Sequence, residues 1–145
     1  MRLTKIILAF TFWGMLSLFS SCVEEEPTII PDVYVNLYIN LSLPQFIALN
    51  SINNAVKVPD YGFDKNGVIV YRLGLEEFLA FDATCPQHIE KSTSINLDNN
   101  GTEGTATCPH CSTTYSFPYY GQASSGYPLK RYKVSPSGNM LHITN

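Results

Sequence analysis

The stretch VYVNLYINLSLP, residues 33–44, alternates without a break. Val33, Val35, Leu37, Ile39, Leu41 and Leu43 fall on one face, and Tyr34, Asn36, Tyr38, Asn40 and Ser42 on the other. Successive strand side chains point to opposite faces, whereas a helix would wrap both sets around its circumference. A period of two sustained this long therefore demands a strand with one buried and one wet face. Pro44, lacking an N–H for a ladder, stops it. The segments that follow are of the same kind. NAVKV and NGVIVYRLG are short β-branched runs, the second opening on the turn pair Asn66-Gly67. FLAFDAT leads straight into Cys85, and INLDNNGTEGTAT reads as a hairpin connection. KRYKV and MLHIT alternate around the turn SPSG as a terminal hairpin, and only LEE, at 75–77, has local helical preference. Short strands with turn signals between them predict an all-β domain, an antiparallel sandwich or barrel.

The chain has 145 residues, which suits one domain, and a net charge of -3 with 14% charged residues leaves no basic footprint for nucleic acid. Its first thirty residues read as targeting rather than fold. Arg2 and Lys5 precede an apolar run from Ile6 to Phe19, and Ser20-Ser21 stand before Cys22. This is the layout of a secretory signal over residues 1–21, and the run is shorter than the ~20 residues of a spanning helix. LFSSC resembles a bacterial lipobox, although Phe19 stands where leucine is commoner. The resemblance implies lipidation of Cys22 and membrane attachment, each buried CH₂ contributing about 0.8 kcal/mol. Glu24-Glu25-Glu26 resemble the acidic signal that sends some lipoproteins to the outer surface. Residues 22–32 then form an acidic, proline-containing tether before a domain at 33–145. The expected location is the cell envelope, at the outer membrane and surface-exposed, with an ordinary secreted protein as the alternative.

Setting Cys22 aside leaves Cys85, Cys108 and Cys111, an odd number for an exported chain. They lie in two stretches with one grammar, TCPQHIEK at 84–91 and TCPHCSTTYSF at 107–117. Cys85-x-x-His88 and Cys108-x-x-Cys111 are two chelating turns with nineteen residues between them. Three thiols and one imidazole make the four donors of a tetrahedral site. Such donors suit Zn²⁺ or an iron–sulfur cluster and suit Ca²⁺ or Mg²⁺ poorly. His110, between the second pair, is an alternative fourth ligand. A disulfide from Cys85 to Cys108 or Cys111, and a redox-active Cys108/Cys111 pair, are competing readings, the latter without the βαβ pattern that usually carries it. No serine–histidine–acid pattern, paired carboxylates or phosphate-binding glycine loop invites an enzymatic reading. His142 reads as a half-exposed strand residue, and Tyr119, Tyr120 and Tyr127 as packing of a loop or a docking patch.

The run FLAFDATC, the loop CPHCSTTYSF, and then GQASSGYPLKRYKV and SGNMLHI together resemble a Rieske-type [2Fe–2S] domain from about Gly67 to the C-terminus. The resemblance implies a mostly antiparallel Rieske-like β fold with two loops at the tip of a small metal-binding subdomain, a [2Fe–2S] cluster and single-electron transfer to a partner protein. The family holds its outer iron with one histidine from each loop. Here Gln87 and Cys111 stand at those positions, and His88 is displaced by one. Thr113 aligns with a serine that hydrogen-bonds a cluster sulfide, Tyr115 with a tyrosine that hydrogen-bonds a ligand cysteine, and Ser112 with a glycine. The implied ligands are Cys85, Cys108, Cys111 and His88. An added thiolate disfavours reduction, so the potential should fall below the roughly −150 to +300 mV of Rieske centres, toward the about −400 mV of all-thiolate ferredoxins. The alternative is a degenerate domain with structural zinc or no metal, a binding or structural lipoprotein rather than a catalyst.

Overall fold

The computed structural model describes residues 29–145. The expected signal over 1–21 and the expected lipidation site Cys22 lie outside the described residues. Ten short strands follow in order: β1 (Asn36–Asn40), β2 (Ala55–Val58), β3 (Val68–Arg72), β4 (Phe78–Asp82), β5 (Asn96–Leu97), β6 (Thr105–Thr107), β7 (Thr114–Ser116), β8 (Gln122–Ala123), β9 (Arg131–Ser137) and β10 (Met140–Thr144). They form two sheets, antiparallel throughout. A six-stranded sheet runs β1-β10-β9-β4-β3-β2, and a four-stranded sheet runs β5-β6-β7-β8. Among the described residues no helix is long and apolar enough to cross a membrane.

The alternation of the first strand has its expected consequence. Val35, Leu37, Ile39 and Leu41 are buried, while Tyr34 and Tyr38 face solvent. The buried set joins Val58, Val68, Val70, Ala80, Leu141 and Ile143 in one core. Because β1 and β2, at opposite ends of the strand order, both feed this core, the sheet must curl around it. The VIVY run of β3 is different. Val68 and Val70 face that first core, and Ile69 and Tyr71 face a second one beneath the four-stranded sheet. A strand buried on both faces cannot alternate, which is why this run is apolar throughout.

Several expectations are corrected. Ile30 is fully buried, and the ammonium of Lys130, itself buried, donates to the Pro31 carbonyl (2.8 Å) and to the Asp32 carboxylate (2.6 Å). Packing therefore begins at residue 30, inside the expected 22–32 tether. The residues of LEE form an exposed bend, and Leu73 and Gly74 close the loop by donating their N–H groups to the Glu77 carbonyl. The last hairpin turns at Gly138-Asn139, since Ser137 pairs with Met140, and SPSG mostly continues β9. A 3₁₀ segment at Pro44–Asn50, which buries Leu49, was not foreshadowed by the pattern.

Candidate metal centre

The first cysteine loop grows out of the end of β4, and a buried carboxylate fixes its start. Asp82 accepts hydrogen bonds from the Thr84 N–H (2.8 Å), the Phe63 N–H (2.7 Å) and the Tyr132 hydroxyl (2.5 Å). Three donors from separate segments satisfy a charge that would otherwise be expensive to bury. Burial, and then the bond to Asp82, hold the Tyr132 phenol well above its usual range. Asn66 spans the far side of the loop, donating to Thr84 Oγ1 and to the Ser92 carbonyl, both at 3.0 Å. Lys57, lowered from its ordinary value by burial, donates to Ser94 Oγ (2.6 Å) and the Ile95 carbonyl (2.8 Å). After Cys85 the chain makes a 3₁₀ segment, Pro86–Lys91, kinked at His88.

The second loop is a tight turn between β6 and β7. The Ser112 N–H donates to the Cys108 carbonyl (2.9 Å) and the Cys108 N–H to the Thr113 carbonyl (3.0 Å). Ser112 has φ +58°, the left-handed region. A tight turn is thus formed with a serine carrying the strain, at the position where the sequence resemblance placed a glycine.

These two turns bring Cys85, Cys108 and Cys111 together, their sulfurs all within 4.8 Å of one another. Cys85 and Cys108 are buried and Cys111 is half-buried; none is in a disulfide. The Cys85 and Cys111 sulfurs are 3.7 Å apart. The Tyr115 hydroxyl lies 3.1 Å from Cys85 Sγ, and Thr113 Oγ1 lies 3.2 Å from Cys111 Sγ. Tyr115 thus touches the cysteine that the resemblance assigned it, whereas Thr113, assigned to a cluster sulfide, touches the Cys111 thiol. Burial pushes the Cys85 thiol from its ordinary 9.0 up to about 11, only partly offset by the Tyr115 hydroxyl. Cys111 moves the other way: burial raises it, but hydrogen bonds from the side chain and backbone of Thr113 outweigh that and leave it below its usual value. Burial, and then the bond to Cys85, push the Tyr115 phenol far up, so it stays a hydrogen-bond donor.

The expected fourth ligand is not in this group. His88 stands on the rim, 41% exposed, with Nδ1 3.8 Å from Glu90, and its ring meets that of His110 edge-on at 5.2 Å. One histidine from each loop is therefore brought to the same rim, outside the three-thiol group. Gln87 has an unforeseen role. Its amide nitrogen donates to the Tyr127 carbonyl (2.7 Å) and its amide oxygen accepts the Tyr127 N–H (3.1 Å). A β-carbon added to Gly126 would sit 2.0 Å from that amide oxygen, so the close approach requires glycine there. Gln87 thus ties the third loop, with its exposed Tyr119, Tyr120 and Tyr127, to the first. Glycine at 126 was its only sequence signal, because the partner lies forty residues away. His142 stacks on Tyr38 at 4.2 Å and accepts or donates a 2.8 Å bond with Asn36, in keeping with a strand residue away from the thiols.

Chemically, three soft donors, two buried and one half-buried, suit zinc or iron and not a hard cation. They supply three of the four positions that either a tetrahedral ion or a [2Fe–2S] cluster takes from its protein.

No protein-family model matches the chain, and no curated protein matches it. Several solved structures are similar. A chain in the complex of reduced oxygenase and oxidized ferredoxin of carbazole 1,9a-dioxygenase shares 16% identity over 79% of this chain and 94% of its own, with a TM-score of 0.47. The ferredoxin of carbazole 1,9a-dioxygenase from Nocardioides aromaticivorans IC177 shares 17% over 64% and 86%, at 0.43. The Sphingomonas yanoikuyae B1 ferredoxin shares 19% over 68% and 93%, at 0.42.

Proposed function

We propose that this chain is a Rieske-like, lipid-anchored electron carrier of the cell envelope, holding an iron–sulfur cluster, in the first instance [2Fe–2S], through Cys85, Cys108 and Cys111. The observation that carries this reading is the convergence of three thiols from two Cys-Pro turns, with the Tyr115 hydroxyl on Cys85 and the Thr113 hydroxyl on Cys111. Hydrogen bonds to thiolate sulfur spread its negative charge and raise the potential of a bound centre, while the third thiolate lowers it. A bound cluster supplies reversible one-electron chemistry. The chain's own residues exclude water through the buried faces of Cys85, Cys108, Phe117 and Tyr115, and fix the sulfurs by two backbone-locked turns. A redox partner protein receives or delivers the electron, and lipid on Cys22 holds the domain at the membrane, at the outer face.

A second reading has its own support. A tetrahedral zinc with Zn–S bonds of about 2.3 Å has sulfurs about 3.8 Å apart, close to the 3.7 Å between Cys85 and Cys111. On that reading the domain is a binding or structural lipoprotein. Elemental analysis of the purified chain separates the two. The carrier reading expects two irons and two acid-labile sulfides per chain, lost on Cys108→Ser. A colourless protein with one zinc overturns it.

A further inference from the structure

We infer that the three-thiol centre takes its fourth ligand from outside the chain: a small, exchangeable nitrogen or sulfur donor that enters on the Cys111 side. The inference deepens the metal-centre reading and rests on Cys85, Cys108 and Cys111 binding a metal.

The neighbouring donors are otherwise engaged. Gln87 occupies the position from which the first loop would reach a metal, but both ends of its amide are bound to the Tyr127 backbone at 2.7 and 3.1 Å. Freeing it would break both of these and a third bond, from the same amide nitrogen to the Tyr115 hydroxyl at 3.4 Å, and detach the third loop. The Tyr115 hydroxyl, on a buried ring, is taken up by Cys85 Sγ at 3.1 Å. Thr113 Oγ1 is occupied as well, accepting from the Cys111 thiol at 3.2 Å. His88 and His110 are the only imidazoles on these loops, and neither belongs to the group of donors within 4.8 Å of one another. Their rings contact each other at the rim, and His88 is drawn toward Glu90.

The thiols themselves show where an outside donor can enter. Cys85 and Cys108 are sealed at 0% and 1% exposure, while Cys111 is half-buried, so access to the centre is along the Cys111 side. A soft metal held by three thiolates keeps an appetite for a fourth donor and selects nitrogen or sulfur over oxygen. The rim imidazoles stand beside that opening as gateposts and not as ligands.

Cobalt(II) is the probe, because its visible bands report both thiolate count and the identity of the fourth donor. The full-length chain, solubilised in detergent, and its His88→Ala/His110→Ala form are each loaded with Co²⁺ and titrated with imidazole, and separately with 2-mercaptoethanol. The inference expects one Co²⁺ per chain, the same three-thiolate charge-transfer intensity in both proteins, and a saturable shift of the ligand-field bands by the added donor in both. Removing the histidines should change the half-saturating donor concentration by less than about threefold. If the double variant loses Co²⁺, or if its bands differ before any donor is added, a histidine is the fourth ligand and the inference falls. An absence of any donor-induced shift also overturns it, as does a failure to bind Co²⁺. Iron and sulfide content of the chain as purified decides the cluster reading separately. Loss of the inference and loss of that reading are therefore told apart.

Discussion

The two sheets are built on different terms. The six-stranded sheet has strands of four to seven residues and an aliphatic core fed by all of them, with Leu37, Ile39, Val68, Val70, Leu141 and Ile143 at its centre. The four-stranded sheet has strands of only two or three residues. Its core mixes aromatic rings, Phe117 against Phe81 and Tyr71 at 5.5 Å each, with Ile69, Ile95 and Leu129, and has Cys85 and Cys108 among the packed side chains. Strands this short bury too little to hold themselves, so the thiol half leans on β3 and β4 and, on the proposed reading, on a bound metal. On that reading one half is a frame that should stand without a ligand, and the other a site whose order depends on one.

Cys108→Ser should break this contrast most severely. It is expected to abolish metal binding and to remove amide-exchange protection from β5–β8 while β1, β9 and β10 keep theirs. Equal loss in both sheets would show that the two halves are one cooperative unit. Next in size are paired core deletions. Phe117→Ala should cost about 3–5 kcal/mol and release metal, whereas Ile39→Ala should cost about 2–5 kcal/mol with metal content unchanged in the folded fraction. Denaturant unfolding with metal analysis reads both. Tyr115→Phe keeps the ring and removes the hydroxyl from Cys85. A loss of about 0.5–1.5 kcal/mol is expected, and a bound cluster's potential should shift downward, since a hydrogen bond to sulfur is lost.

The metal-free protein should respond to pH through Cys85. Its thiol is pushed from 9.0 to about 11 by burial, so the folded chain holds a proton there that the unfolded chain has given up. Stability from this group is fully present below pH 9.0 and is lost as pH rises toward 11. Thermal melts of apoprotein should therefore fall in that window, and metal-loaded protein, its thiolate already deprotonated, should not follow. The smallest effect is expected from Ser112→Gly. Removing a β-carbon from a residue at φ +58° should stabilise the second loop by up to about 1 kcal/mol, less the entropy that glycine costs in the unfolded chain.

What the sequence revealed follows the same division. The alternation of residues 33–43 announced a half-buried strand because its two faces have different surroundings; Val35, Leu37, Ile39 and Leu41 are buried as it required, but the strand itself is only Asn36–Asn40 and Leu43 is exposed. The grouping of the three cysteines was legible from short spacings, because each loop closes locally, whereas Thr113 and Tyr115 were picked out only by the resemblance to Rieske-type domains. His88 was not, because a shift of one residue around a kinked turn decides whether a ring faces the thiols or the rim. Gln87 was opaque for a different reason: its partner is the backbone of Tyr127, and backbone leaves no mark on composition. The final turn slid past SPSG because β4 pairs with β9 only at Arg131 and Tyr132, so Pro136 sits where that side of β9 has no ladder to interrupt.

The most direct test of the account is a reductive titration of the purified, metal-replete chain followed by electron paramagnetic resonance. The account predicts uptake of one electron per chain and a spin-half signal that vanishes in Cys85→Ser, at a potential below the roughly −150 to +300 mV of two-histidine Rieske centres. A protein that takes up no electron, or whose signal survives loss of Cys85, contradicts it.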